Sequence, residues 1–180
     1  MNQASLSKAL FLDRDGIINI DHGYVYRIKD FEFTKGIFEL LKLFIKKGYK
    51  LFIVTNQSGI GRGYYTQENF NTLTQWMLDR FTEENITIES VEHCPHAPEE
   101  SCLCRKPNTA MIEAILSKYP LDLKNSWMIG DKQSDIDLAH NANIYHTISI
   151  GNRKIKKSEL SFASIRECYL YLKENQAKIK

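Results

Sequence analysis

At 180 residues, with 43% hydrophobic and 26% charged side chains, the chain is long enough for one domain with a substantial core and too apolar to be disordered. Its formal net charge of +2 rests on 24 basic residues that are dispersed except for Arg153-Lys154-Ile155-Lys156-Lys157; nothing argues for a nucleic-acid partner, and that run reads as a solvated loop. Met1 to Lys8 lacks the apolar core of a signal peptide and no stretch approaches the ~20 apolar residues of a membrane span, so no membrane partner is expected and the cytoplasm is the expected location.

The chain opens on Ala9-Leu10-Phe11-Leu12-Asp13-Arg14-Asp15-Gly16, a short apolar run that stops at two acids. Such a run fits a strand buried on both faces of a parallel sheet, at whose carboxyl end ligand sites form. Ile17 to Phe33 has no sustained period and reads as a loop with a short hairpin, in which Asp21-His22-Gly23-Tyr24 can curl back over the acids. Gly36 to Lys47 carries Ile37, Leu40, Leu41, Phe44 and Ile45 at helical spacing, with Gly48 as its cap. Tyr49 to Val54 is a second buried strand, ending in the polar cluster Thr55-Asn56-Gln57-Ser58-Gly59.

Thr66 offers an N-cap for a helix through Phe81, with Phe70, Leu73, Met77 and Leu78 on its buried face. A short strand near Ile88 to His93 leads into a cysteine-rich loop. Pro107 suits the first turn of a helix running to about Tyr119, with Met111, Ile112, Ile115 and Leu116 inward. Ser126 to Asp131 repeats the opening pattern of an apolar strand ending in an acid. Ser134 to Asn141 reads as a helix, Ile144 to Ile150 as a strand, and Ser158 to about Glu174 as a closing helix with Leu160, Ile165, Tyr169 and Leu172 as its apolar positions.

Strand and helix alternate throughout, which predicts one Rossmann-like α/β domain over residues 1–180, its parallel sheet flanked by helices on both faces. All strand carboxyl ends then share one edge, bringing Asp13, Asp15, Thr55, Lys106 and Asp131 together. Three carboxylates around a small pocket suit Mg²⁺, a hard ion with oxygen ligands. Beside it Asp13 stays ionised and can act as a nucleophile, and Asp15 is placed to exchange a proton with the leaving group and then with water. Thr55 and Asn56 offer hydrogen bonds and Lys106 a positive charge to a transferring phosphoryl group.

These residues resemble the four motifs of haloacid dehalogenase-type phosphatases, in order, over about Ala9 to Gly151: Asp13-Arg14-Asp15-Gly16, Thr55, Lys106 and Gly130-Asp131. Asp21-His22-Gly23-Tyr24-Val25, Thr55-Asn56-Gln57-Ser58-Gly59-Ile60, Cys94-Pro95-His96, Cys102-Leu103-Cys104-Arg105-Lys106-Pro107 and Gly130-Asp131-Lys132 resemble the D-glycero-D-manno-heptose-1,7-bisphosphate 7-phosphatases, relatives of the histidinol-phosphate phosphatases. The resemblance implies Asp13 as nucleophile, Asp15 as proton donor, and Asp13, the Asp15 main-chain carbonyl and Asp131 as Mg²⁺ ligands. Thr55 and Lys106 would steady the phosphoryl group, and Asp21, His22, Gly23, Tyr24, Gln57 and Ser58 would meet the substrate at the entrance. Ile17 departs from the threonine or valine of many relatives and should affect packing only.

Cys94, His96, Cys102 and Cys104 supply three thiolates and one imidazole within eleven residues, enough to close a tetrahedral, structural Zn²⁺ site in a loop of about 94–104. Zinc there would anchor Arg105 and Lys106 beside the phosphate pocket; Cys168, in an apolar helix pattern, reads as core, and His93 as a bystander. Arg105, Lys106 and Lys132 outnumber the needs of one phosphoryl group, which favours a sugar bisphosphate over histidinol phosphate; Arg62 is a further candidate for reaching an anion. Little sequence lies between the motifs, so no large cap domain is expected, and the protein is expected to act as a monomer. The expectation is a Mg²⁺-dependent phosphatase acting on the 7-phosphate of a heptose bisphosphate, on the route to nucleotide-activated heptose. The alternatives are a histidinol-phosphate phosphatase and a non-catalytic, zinc-organised binding module.

Overall fold

The computed structural model describes residues 6–180, so most of the Met1–Lys8 segment lies outside the described residues. Among the described residues, five α-helices and six strands alternate up to β5, which β6 follows directly: β1 (Lys8–Leu12), α1 (Ile37–Lys46), β2 (Tyr49–Asn56), α2 (Gln67–Glu83), β3 (Ile88–Cys94), α3 (Ala110–Leu116), β4 (Trp127–Gly130), α4 (Gln133–Asn141), β5 (His146–Ile150), β6 (Leu160–Phe162) and α5 (Ile165–Glu174). All strand pairs are parallel, in the order β3-β2-β1-β4-β5-β6. The direction of winding reverses between β1 and β4, and a doubly wound sheet opens a crevice at that point.

Side chains along β1 alternate between two cores. Leu10 and Leu12 join Ile37, Leu40 and Phe44 of α1, Met77 and Phe81 of α2, and Cys168 and Leu172 of α5. Ala9 and Phe11 join Met111, Ile112 and Ile115 of α3 and Leu138 of α4 on the opposite face. With helices on both faces every β1 position from Ala9 to Leu12 is fully buried, which is why the strand reads as an unbroken apolar run. Ile17 is likewise fully buried. Residues 18–20 pair against 32–34 through Ile20 N–H to Glu32 O (2.8 Å) and Thr34 N–H to Ile18 O (2.9 Å), the short hairpin of the first loop. Thr66 and Asn69 cap α2 reciprocally, each side chain accepting the other's backbone N–H.

Several local expectations change. Pro107 precedes α3 instead of entering it, because a turn closed by Asn108 N–H to Arg105 O (2.9 Å) holds that segment, and the helix begins only at Ala110. That helix stops at Leu116, whose side chain is exposed, and Leu78 of α2 is half-buried. The closing segment splits: Leu160 and Phe162 pair with Ile148 and Ile150 as an edge strand, and only then does Ser164 cap α5 through Glu167 N–H. Among the described residues no helix is long and apolar enough to cross a membrane.

Candidate active site

The carboxyl ends of β1 and β4 deliver Asp13 and Asp131 side by side, joined by Asp13 N–H to Ile129 O at 3.1 Å. Two glycines permit the approach. Gly16 turns the chain at φ +87°, and a Cβ there would come within 2.7 Å of Asp131 Oδ2. A Cβ on Gly130 would overlap the side chain of Asp135, the fully buried acid in the first turn of α4. Asp135 Oδ2 accepts the Asp131 and Lys132 N–H groups at 3.1 and 3.0 Å and so fixes the start of the helix to the end of the strand.

Lys106 enters from the loop after β3 and is buried against these acids. Its Nζ lies 2.9 Å from Asp13 Oδ1 and 2.6 Å from Asp135 Oδ1, and it donates to Val54 O at 2.9 Å. Asn56 holds the lysine backbone, its Oδ1 accepting Lys106 N–H at 3.0 Å. Burial works to raise the Asp13 carboxyl, but the Lys106 and Lys132 charges outweigh it and hold Asp13 below the ordinary carboxylate range. Burial likewise opposes the Lys106 ammonium, yet Asp13 and Asp135 hold it well above its ordinary value. Asp131 differs: burial, then the charge of Asp13, push it up to about 6.

The donor set fits a hard divalent cation. Asp13, Asp131 and Asp135 offer oxygens within 4.8 Å of one another, and Asp131 Oδ1 is buried without a hydrogen-bond partner. Three acids thus face one buried lysine, an imbalance that Mg²⁺ with oxygen ligands would correct.

Asp15 has partners of its own. Arg14 Nη2 grips both its oxygens at 2.9 and 3.0 Å, and Asn19 Nδ2 and Gln57 Nε2 each donate at 3.0 Å. Gln57 Nε2 also donates to Thr55 Oγ1 at 2.8 Å. Asp15 and Gln57 border a cavity of about 220 Å³ to which Asp21, Gly23, Tyr24, Asn56, Ser58 and Lys132 also contribute. Lys132 Nζ stands between Asp21 Oδ2 (3.8 Å) and Asp131 Oδ1 (4.0 Å).

Not every expected residue reaches this cavity. His22 turns toward Glu32 at 3.7 Å, and Arg62 toward Glu99 at 3.8 Å. Arg105 reaches the His96 carbonyl at 3.5 Å and does not line the cavity. With Lys106 balanced by two acids, Lys132 is the one cation among the residues lining the cavity, fewer than the sequence suggests. Arg153 is also not simply solvated, since it donates to Asp131 Oδ2 at 2.8 Å. Asp135, Tyr65 and Arg153 are site neighbours that the sequence reading misses. Only Asp135 had a local signal, as an acid in the first turn of the helix that follows Asp131.

The cysteine loop forms a second cluster. Cys94, His96, Cys102 and Cys104 bring their donor atoms within 4.8 Å of one another, and all three thiols are free. Cys102 Sγ lies 3.6 and 3.7 Å from Cys94 and Cys104, and His96 Nδ1 lies 3.2 Å from Cys104 Sγ. Cys94 and Cys104 Sγ are 2.9 Å apart, closer than the ~3.8 Å edge of a tetrahedron of Zn–S bonds near 2.3 Å, so it is the chemistry of three thiols and one imidazole gathered in one place, more than their spacing, that suits zinc. His93 stays outside, stacked on Phe70, and Cys168 is in the core.

Residues 103–169 match the HAD-hydrolase-like family model. The chain is 46% identical to the D-glycero-alpha-D-manno-heptose-1,7-bisphosphate 7-phosphatase of Campylobacter jejuni, over 93% of this chain and 97% of that one. It is 49% identical to the D-glycero-beta-D-manno-heptose-1,7-bisphosphate 7-phosphatase of Helicobacter pylori, over 83% and 87%. The crystal structure of a D,D-heptose 1,7-bisphosphate phosphatase from B. bronchiseptica shares the fold, with a TM-score of 0.81 over 93% of this chain and 99% of that one at 22% identity.

Proposed function

Since the chain belongs to the heptose-1,7-bisphosphate 7-phosphatase family of haloacid dehalogenase-like hydrolases, we propose that it removes the 7-phosphate of D-glycero-D-manno-heptose 1,7-bisphosphate. One observation carries the chemistry: a buried, ionised Asp13 at the end of β1 with Lys106 on one of its oxygens, beside an acid that opens to a cavity. A carboxylate so held is a nucleophile that cannot be neutralised by protonation at working pH.

In this reading Asp13 attacks phosphorus, the bond from phosphorus to the C7 oxygen breaks, and Asp15 gives its proton to the departing alkoxide. Asp15 then takes a proton from water as the water oxygen attacks the aspartyl phosphate, which frees Asp13 and inorganic phosphate. Lys106 and the Thr55 hydroxyl face the charge that develops on the phosphoryl oxygens. Mg²⁺, held by Asp13, Asp131 and the Asp15 carbonyl, would supply further countercharge there when bound. Lys132, with Asp21 and Tyr24, is placed to meet the sugar and its second phosphate. The Cys94, His96, Cys102 and Cys104 cluster would hold structural zinc, with no ligand position left open. The enzyme would work as a monomer in the cytoplasm, where a reducing milieu keeps those thiols free for metal.

Phosphate release from both anomers of the heptose bisphosphate and from histidinol phosphate, at equal concentrations with Mg²⁺, tests the substrate. A kcat/KM about 100-fold higher for a bisphosphate corresponds to ~2.7 kcal/mol of transition-state discrimination and is the expected result. Preference for histidinol phosphate would overturn the substrate and leave the mechanism standing. Asp13→Asn should abolish turnover with the zinc content unchanged; undiminished turnover would sink the nucleophile assignment.

A further inference from the structure

Arg153 lies in the loop that follows β5, at the head of a basic run that reads in sequence as solvated. Its side chain is 59% exposed, yet Nη1 donates to both the Oδ2 and the main-chain carbonyl of Asp131, at 2.8 and 3.2 Å. The loop that carries it is tied to α4. The Gln133 side chain clasps Lys156 twice, Oε1 accepting its N–H at 2.8 Å and Nε2 donating to its carbonyl at 3.1 Å, and His140 Nε2 lies 3.1 Å from Lys157 O. Since α4 begins two residues after Asp131, arginine and acid are referenced to the same helix.

The two oxygens of Asp131 therefore have different surroundings. Oδ2 is held by Arg153, on the side where Gly16 leaves room for it, whereas Oδ1 is buried and accepts no hydrogen bond. We propose that Arg153 is a positioning residue for the divalent-metal site, fixing the rotation of the Asp131 carboxylate so that Oδ1 is presented to the ion. The inference rests on Asp131 being a metal ligand. Ligating carboxylates are commonly oriented by an outer partner, whose loss lowers metal affinity about 10- to 100-fold. The cation also repels the metal, but its exposed side chain is screened by water and salt, so orientation should outweigh repulsion.

Calorimetric titration of the zinc-loaded, magnesium-free protein with Mg²⁺ alone separates the possibilities. Arg153→Ala should raise the Kd for Mg²⁺ about 10-fold. Arg153→Lys should recover part of that loss, because both contacts come from the single nitrogen Nη1 and an ammonium keeps that charge and its donors on a stem of shorter reach. Gln133→Ala, which touches neither Arg153 nor Asp131, should raise the Kd less. An Arg153→Ala Kd that is unchanged or tighter would overturn the proposal. Asp131→Asn is the control: if it leaves the Kd unaltered, the ligand reading beneath the proposal fails, and if it alone weakens binding, only the role of Arg153 fails.

Discussion

The Tyr65 hydroxyl donates to Gln57 Oε1 at 2.5 Å, and this contact decides which way the Gln57 amide faces. With Oε1 engaged, Nε2 is left to donate to Asp15 Oδ2 and Thr55 Oγ1, so one buried tyrosine sets the donor that links Asp15, the proposed acid, to the threonine. The ring fits because Gly59 carries no side chain to overlap it. Burial pushes the Tyr65 hydroxyl up to about 12, which keeps it a donor across the working range. Tyr65→Phe removes that constraint. The net loss of one neutral hydrogen bond is about 1 kcal/mol, so steady-state assays at saturating Mg²⁺ should show kcat lowered about fivefold with KM little changed. An unaltered kcat would mean that the amide is oriented by other means.

Gly130→Ala should be a stability variant with a functional consequence. The added methyl overlaps Asp135, which cannot withdraw without abandoning the N–H groups of Asp131 and Lys132 and its ion pair with Lys106. Overpacking of this kind costs about 1–3 kcal/mol, and urea denaturation should show a lower midpoint with an unchanged slope. A midpoint equal to that of the parent would show that α4 shifts freely to make room.

The parts of this molecule that were legible in its sequence are those whose cause is local. β1 and β4 announce themselves because both sheet faces are covered, leaving apolar runs that end at Asp13 and Asp131, and α2 because Thr66 and Asn69 cap it. β6 has three residues at the sheet edge with Ser161 exposed, too short for a period to register, so its pairing with β5 is set by tertiary context. The site divides in the same way. Strand ends marked Asp13, Asp15, Thr55 and Asp131, whereas Arg153 meets Asp131 across 22 residues and Tyr65 meets Gln57 through a turn shaped by Gly59. No spacing rule encodes such partners. The same limit explains why Lys106, counted with Arg105 and Lys132 among the cations at the strand edge, proves to be balanced by Asp135.

With Asp131 proposed as a Mg²⁺ ligand, its elevated carboxyl should couple pH to metal binding. An acid pushed up to about 6 in the folded chain, above the ordinary carboxylate range, binds its proton more tightly in the folded state. Its contribution to stability is therefore largest at low pH and is lost as the pH rises from about 4 through about 6. Mg²⁺ needs the ionised carboxylate, so the rise in Tm that Mg²⁺ produces should grow between pH 5 and pH 7. Thermal unfolding with and without Mg²⁺ at pH 5, 6 and 7 measures this. A gain that is flat across that range would remove Asp131 from the linkage.

Zinc removal should damage the phosphate pocket at a distance. Cys94 ends β3 and Cys104 lies two residues before Lys106, so a metal joining them fixes the segment that delivers the lysine to Asp13 and Asp135. Metal analysis should find about one zinc per chain, and Cys102→Ser or strong chelation should release it. By analogy with a covalent cross-link closing a loop, the loss is about 2–4 kcal/mol, or roughly 4–16 °C in Tm. Activity should fall with Mg²⁺ restored and recover only when zinc is returned, because a displaced Lys106 leaves two buried carboxylates without their cation and the nucleophile without its partner. Full turnover from zinc-free protein would instead show that Asn56 and the Val54 carbonyl hold Lys106 in place without help from the loop.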